Sequence, residues 1–121
     1  MTQTRLVMPS HLNSYGALFG GYMLLWVDEI SWISASLDYP GCRFVTVAMD
    51  RVEFKKSVHS GQLLEFTTER IRTGRTSATY SVSVVRQCLE SATADHVFET
   101  SVTLVRVGAD GQKQPLPEDD E

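Results

Sequence analysis

The chain has 121 residues, of which 42% are hydrophobic and 21% charged, as is ordinary for one globular domain. Its net charge is −4 at pH 7 and its last four residues are acidic, so the rest of the chain is close to neutral. Without an excess of lysine and arginine, the composition excludes a protein built mainly to bind nucleic acid.

The cysteines and the apolar segments limit the cellular compartments that are compatible with the sequence. Cys42 and Cys88 are too few for a disulfide framework and lie in no metal-ligand spacing, which favours a reduced, cytoplasmic setting without a metal site. The N-terminus lacks the apolar core of a signal peptide, and no apolar run reaches the roughly 18 residues that span a bilayer. We therefore expect no membrane insertion.

A short strand and one long helix come first in the chain. Residues 4–8 predict a strand ended by Pro9, and residues 10–16 predict a loop. Residues 18–37 predict a helix that opens with Gly20-Gly21 and stops before Tyr39-Pro40-Gly41. Its apolar residues nearly encircle it, so we expect it to be enclosed.

Strand patterns follow. Residues 44–49, continuing toward 54, and residues 63–72, 78–84 and 97–107 predict strands, with a tight turn at 73–75 and a polar connection at 89–95. One apolar helix followed by such strands predicts an α+β fold, an antiparallel β-sheet wrapped around one long central α-helix. We expect a single domain over residues 1–110 and a solvated acidic tail over 111–121.

Asp28 is the first candidate for chemistry. It follows five apolar residues, and its helical neighbours three and four positions away include Leu24, Leu25 and Trp32. A carboxylate in such a setting is costly unless it is partnered, and it can serve as a general base. The alternative is a surface acid that happens to follow apolar residues.

Other candidates surround the start of the helix. Gly20-Gly21 would cost roughly 1 kcal/mol each inside a helix, so either a ligand or a packed strand requires them. The first amides of a helix are unpaired and can hold a developing oxyanion. Asn13 and His11, taken alone, are more typical of turn and loop residues than of catalytic ones.

A cluster of arginines lies near the turn at Gly74. Arg70 and Arg72 are two apart on a predicted strand, so we expect both on one face, with Arg75 following in the turn. Thr76 and Ser77 add hydroxyl groups, and such a set can meet phosphates. A solvated basic edge is the alternative.

These features form an ordered series: Met8-Pro9, Asn13-Ser14-Tyr15-Gly16, Phe19-Gly20-Gly21, Asp28, Val45-Thr46, Met49-Asp50-Arg51-Val52-Glu53-Phe54, Gly61, and Gly74-Arg75-Thr76-Ser77. The series resembles the acyl-CoA thioesterase family of hotdog proteins in its short bacterial form. The similarity covers nearly the whole chain, but Ser57 and Gln62 stand where that family usually has proline and aspartate.

The resemblance implies roles for individual residues. Asp28 matches the catalytic carboxylate, Asn13 matches a loop asparagine supplied by the facing subunit, and the Gly21 amide matches the one that polarises the thioester carbonyl. The segment of Gly74, Arg75, Thr76 and Ser77 is similar to one that lies along the CoA arm.

The resemblance also implies an assembly and an activity. The assembly is a homodimer with sheets joined edge to edge, further assembled into a hexamer (a trimer of dimers) or a tetramer. The activity is hydrolysis of acyl-CoA to a carboxylic acid and CoA without a metal or cofactor, with Asp28 acting either as general base or as nucleophile. The alternatives are a non-catalytic acyl-CoA sensor and a hotdog dehydratase, for which His11 would be the base.

Overall fold

The computed structural model describes residues 1–117, and the acidic residues after 117 lie outside it. Its elements are β1 (Thr2–Leu6), a 3-10 turn (Pro9–His11), α1 (Gly20–Asp38), β2 (Arg43–Phe54), β3 (Leu63–Thr73), β4 (Ser77–Cys88) and β5 (Thr93–Val107). The strands form one antiparallel sheet in the order β1-β3-β4-β5-β2. The α+β prediction and the long helix are confirmed.

Helix α1 packs along one face of the sheet. It begins after Phe19, whose backbone is extended, and ends at Tyr39, directly before Pro40, which disfavours helical backbone in the residue it follows. Its sheet-facing side packs against β2, β3, β4 and β5. The core formed there includes Met23, Trp26, Val27, Ile30, Leu64, Phe66, Val82, Phe98 and Leu104.

The other side of α1 is not covered within one chain. Leu25 and Trp32 on that side are 53% and 48% exposed, and Val47 on the edge strand β2 is 54% exposed. The expectation that the helix is enclosed on all sides is therefore wrong for the single chain, because one five-stranded sheet covers only one of its faces. Exposed large apolar side chains on a helix and an edge strand are typical of association sites.

The C-terminal end of α1 is tied to the sheet by polar contacts. The Tyr80 hydroxyl donates to Asp38 Oδ2 at 2.7 Å, and the Ser34 and Thr68 hydroxyls are 2.6 Å apart. Burial raises the pKa of Tyr80, and its hydrogen bond to Asp38 raises it further, so the phenol stays a donor. These bonds fix the register of the helix along the sheet.

A β-bulge interrupts the pairing of β3 with β4. Arg70 pairs with Tyr80 but Arg72 pairs with Thr79, so the extra residue between them reverses the alternation of side chains. Tyr80 faces the helix, whereas Thr79 faces away and bonds Thr103 across the sheet. The prediction that Arg70 and Arg72 share a face is therefore wrong.

Two boundaries differ from the predictions. Strand β5 begins at Thr93, so the connection predicted over 89–95 is only the short turn at 89–92. The strand pairing beside this turn is reinforced by Arg86 Nη2, which donates to Asp95 Oδ2 at 2.6 Å. At the other end, the Leu116 N–H donates to the Arg75 carbonyl at 2.8 Å and its side chain packs against the core. The packed chain thus extends past residue 110.

Candidate active site

Asp28 lies half-buried near the middle of α1, beside strand β2. The hydroxyl of Thr46 donates to its Oδ1 at 2.5 Å, so one carboxylate oxygen is held while the other remains available. Sequence reasoning assigned no role to Thr46, because a threonine in a strand is common and nothing in its spacing points to a carboxylate. Only the packing of β2 against α1 brings the two together.

A hollow of about 460 Å³ opens beside Asp28. Besides Asp28, Glu29 and Thr46, its lining is apolar: Leu25, Trp32 and Val45. The Trp32 indole is held at the rim by its N–H, which donates to the Phe44 carbonyl at 3.2 Å. The carboxylate therefore faces an apolar space of a size that accepts a small organic chain.

Gly20 and Gly21 form the first turn of α1. A Cβ at Gly20 would come within 3.3 Å of the Phe54 ring, so this glycine permits close packing of β2. Within residues 1–117 no acceptor binds the N–H of Gly21, which is exposed at the positive end of the helix. That N–H is suited to an oxygen that gains negative charge.

Asn13 is both a turn former and a candidate donor. Its Oδ1 accepts the N–H groups of Tyr15 and Ala17 at 2.9 and 3.1 Å, which explains its place before Gly16. Because the oxygen is used in this way, the Nδ2 group is the one left to contact a ligand, and it has no partner among the described residues.

Asn13 and Gly20 line a second cavity of about 420 Å³, together with Met23, Lys55 and Lys56 among others. Asp28 lies eight residues after Gly20, which is roughly 12 Å along the helix axis. Neither cavity contains both Asn13 and Asp28. One chain therefore brings Asn13 close to the helix start but does not bring it to Asp28.

The hairpin at Gly74 is a tight turn. The Gly74 N–H donates to the Ser77 carbonyl at 2.8 Å, and a Cβ at position 74 would lie 2.7 Å from Ser77 Oγ. The backbone carbonyls of Arg75 and Thr76 bind the Leu116 and Arg106 amides, so the turn is rigid. The Arg75 side chain is exposed.

Arg70 is not part of this hairpin surface. It donates to the Tyr39 hydroxyl at 2.7 Å and its guanidinium lies 5.4 Å from the centroid of that ring. Arg72 is exposed on the opposite face of the sheet. The bulge thus separates Arg70 from Arg72, which the spacing had placed on one face.

His11 sits between aromatic rings rather than in a cavity. Its ring is 4.8 Å from that of Tyr22 and 4.9 Å from that of Trp26, and its Nδ1 accepts the Met8 N–H at 3.0 Å.

Within residues 1–117, no three side chains of His, Cys, Asp or Glu lie close enough to hold a metal ion. In the same range no helix is both long and apolar enough to cross a membrane.

Comparison with known proteins identifies the class. A family model for the thioesterase superfamily matches residues 15–93, a range that includes Gly21, Asp28, Thr46 and the Gly74 hairpin. The match covers more than half of the chain, so the chain belongs to the thioesterase superfamily.

Individual relatives extend the match over almost the whole chain. An uncharacterized acyl-CoA thioester hydrolase of Buchnera aphidicola is 31% identical over 95% of this chain and 85% of that protein. Acyl-coenzyme A thioesterase 11 of Mus musculus is 30% identical over 84% of this chain. The chain spans only 17% of the length of the mouse protein.

Solved structures share the fold. A hexameric acyl-CoA thioesterase in its apo form is 35% identical, with a TM-score of 0.90 over 97% of this chain and 74% of that one. A hexameric hotdog-fold thioesterase of Campylobacter jejuni is 32% identical, with a TM-score of 0.85 over 95% of this chain and 88% of that one. The hotdog expectation is confirmed.

Proposed function

We propose that this chain hydrolyses acyl-CoA thioesters to a free carboxylic acid and CoA, in a site shared between two subunits. The observation that carries the proposal is the Asp28 carboxylate, held by Thr46 and facing an apolar hollow on a helix whose first turn offers a free Gly21 N–H. The similar proteins described above are an acyl-CoA thioester hydrolase and acyl-CoA thioesterases, which supports the same chemistry.

The chemistry requires a polarised carbonyl, a placed water and a proton acceptor. The Gly21 N–H binds the thioester oxygen and stabilises the oxyanion that forms on attack. Asp28 takes the proton from the attacking water, or attacks the carbonyl itself to give an anhydride that water then cleaves. The C–S bond breaks in either route and the sulfur leaves as CoA.

Asn13 completes the site from the facing subunit. Its Nδ2 donates to the water or to the carboxylate of Asp28, because its Oδ1 is occupied within its own turn. The helix start lies roughly 12 Å from Asp28 of the same chain, so one thioester group cannot contact both. The Gly21 N–H that acts together with Asp28 is therefore also that of the facing subunit. A second copy placed antiparallel supplies the missing half.

The surface that joins the copies is the exposed side of α1 together with the edge of β2. Leu25, Trp32, Val45 and Val47 contribute apolar area there, and β2 has no neighbour beyond it within the sheet of residues 1–117. Two β2 edges paired about a twofold axis give one continuous sheet and cover both helices. Dimers then assemble into a hexamer, as in the similar solved proteins, or a tetramer.

The CoA arm extends along the Gly74 hairpin. Arg75 is its main phosphate contact, with Arg72, Thr76 and Ser77 beside it. Arg70 was grouped with these residues by spacing. Its guanidinium binds the CoA phosphates only if it gives up its hydrogen bond to the Tyr39 hydroxyl. Arginine suits phosphate because its fork of N–H donors binds two oxygens at once. The reaction uses no cofactor.

Turnover tests the proposal and separates it from its alternatives. Purified protein is assayed on acyl-CoAs of several chain lengths and on a hydroxyacyl-CoA, with release of the free thiol as the readout. Thiol release that Asp28→Ala removes supports hydrolysis. Binding without turnover indicates a sensor, and loss of water from the hydroxyacyl-CoA without thiol release indicates a dehydratase.

A further inference from the structure

His11 is held by contacts of its backbone and of its ring. Its backbone carbonyl accepts the N–H of Phe19, the residue before α1, at 2.9 Å. Its ring lies against Tyr22 and Trp26, which are four residues apart and so lie on one side of the helix. Its Nδ1 accepts the Met8 N–H, which places the proton of the neutral ring on Nε2. No atom of this ring is directed to a cavity of the candidate site.

The segment that His11 anchors carries Asn13, two residues later. Asn13 is tied to its own turn through Tyr15 and Ala17, and that turn is tied to the chain at Leu12 and Leu18, which form an isolated bridge. The Leu12 and Leu18 side chains also pack against the core, and His59 Nδ1 lies 3.1 Å from the Gly16 carbonyl. The His11 ring, placed against Tyr22 and Trp26, adds an aromatic clamp between this segment and the first turns of α1.

We propose that His11 is a positioning residue of the thioesterase site, acting through Asn13 and not on the substrate. This inference rests on the proposed function, because it takes Asn13 to be a donor in the reaction. A polar group displaced by about 1 Å can cost roughly a hundredfold in rate without weakening binding of the substrate. Loss of the clamp should therefore lower kcat and leave KM close to its original value.

The test is a double-mutant cycle on hydrolysis of one acyl-CoA. His11→Ala removes both the ring and the acceptor, and we expect kcat to fall about ten- to a hundredfold with KM within about threefold. In an Asn13→Ala background the same change should cost less than about twofold, because the group that it positions is already absent. His11→Phe keeps a ring between Tyr22 and Trp26 and should restore part of the lost kcat.

Controls separate this role from a general loss of structure. His96→Ala changes a half-buried histidine on β5 and should leave kcat unaltered. Thermal melts identify any variant that fails to fold, and if His11→Ala does so, His11→Phe carries the cycle with Asn13→Ala instead, with the same small further loss expected.

The outcomes distinguish the two proposals. If the wild type hydrolyses no acyl-CoA, the proposed function fails and the inference fails with it. If the wild type is active and Asn13→Ala is impaired, but the His11 change costs its full factor in both backgrounds, only the inference is overturned. A rise in KM with kcat unchanged would overturn it as well, since that result assigns His11 to binding.

Discussion

Thr46 and Asp28 are joined across the gap between β2 and α1 by a hydrogen bond of 2.5 Å. A hydroxyl that donates to a carboxylate oxygen fixes the orientation of the carboxylate plane. Under the proposed function, the second oxygen of Asp28 is the one that acts on the water or on the thioester carbonyl.

Thr46→Val removes this donor while keeping the shape of the side chain. We expect kcat to fall about ten- to a hundredfold, the range for losing a hydrogen bond to a charged group, with little change in stability. Thr46→Ser retains the hydroxyl and is the matched control, expected to stay within about threefold of the wild type. Equal activity of the two variants would contradict a role for the hydroxyl.

Asp28→Ala should abolish most hydrolysis, by roughly 10²- to 10⁴-fold, because it removes the proton acceptor. Its neighbour offers a comparison, since Glu29 lines the same hollow but its carboxylate is bound to the half-buried Arg5 at 3.2 Å. Glu29→Ala removes an acid of the same helical turn and should leave turnover within about threefold. Steady-state kinetics with circular dichroism on both variants decides between a local and a global effect.

A site shared between subunits predicts complementation. Asn13→Ala and Asp28→Ala proteins are each impaired, but after subunit exchange a mixed dimer contains one site with both residues intact. We expect part of the wild-type activity to return on mixing. Native mass spectrometry of differently tagged subunits confirms exchange, and mixed dimers that form yet stay inactive would place the whole site in one chain.

Arg75→Ala should raise KM for acyl-CoA about tenfold and leave kcat nearly unchanged, because a phosphate contact forms equally in the ground and transition states. The effect should shrink as salt is added. An acyl-pantetheine substrate, which lacks the CoA phosphates, is the control and should be hydrolysed equally by both proteins. Unaltered KM for acyl-CoA at low salt would indicate that Arg75 is only a solvated residue.

The cluster of Asp95 with Arg86 and Lys56 predicts a loss of stability in acid. The Arg86 guanidinium and then the Lys56 ammonium, each hydrogen-bonded to the carboxylate, lower the pKa of Asp95 from 3.8 to about 2. The contribution of the ionised carboxylate is therefore present above pH 4 and disappears as the pH falls through 2. Urea unfolding should show a difference between the wild type and Asp95→Asn at pH 6 that narrows steadily below pH 4, and a constant difference would contradict the assignment.

Much of the fold follows from local pattern. The run of apolar residues after Gly20-Gly21 and the breaker at Tyr39-Pro40 define α1 to within two residues, and the alternation in β4 marks a half-buried strand. The structural features that the sequence did not indicate are nonlocal. The bulge in β3, the return of the chain through Leu116 and the bond from Thr46 to Asp28 all depend on contacts between distant segments.

The candidate site was predictable as a set of residues but not as a geometry. Asp28, Gly21 and Asn13 were singled out by an ordered resemblance, and the single chain places Asn13 and Asp28 at two separate cavities. The positioning role proposed for His11 had no signal beyond its place in a polar loop, because that proposal depends on the rings of Tyr22 and Trp26.

The bulge between Arg70 and Arg72 makes the number of residues in β3 matter as much as their identity. Since side chains alternate with a period of two, one added or deleted residue would exchange the two faces for all that follow up to the hairpin. Such a change would act as several substitutions at once, presenting a charged arginine to the helix and withdrawing another from it. We expect variation among close relatives to replace residues in this strand freely on its exposed side while preserving its length.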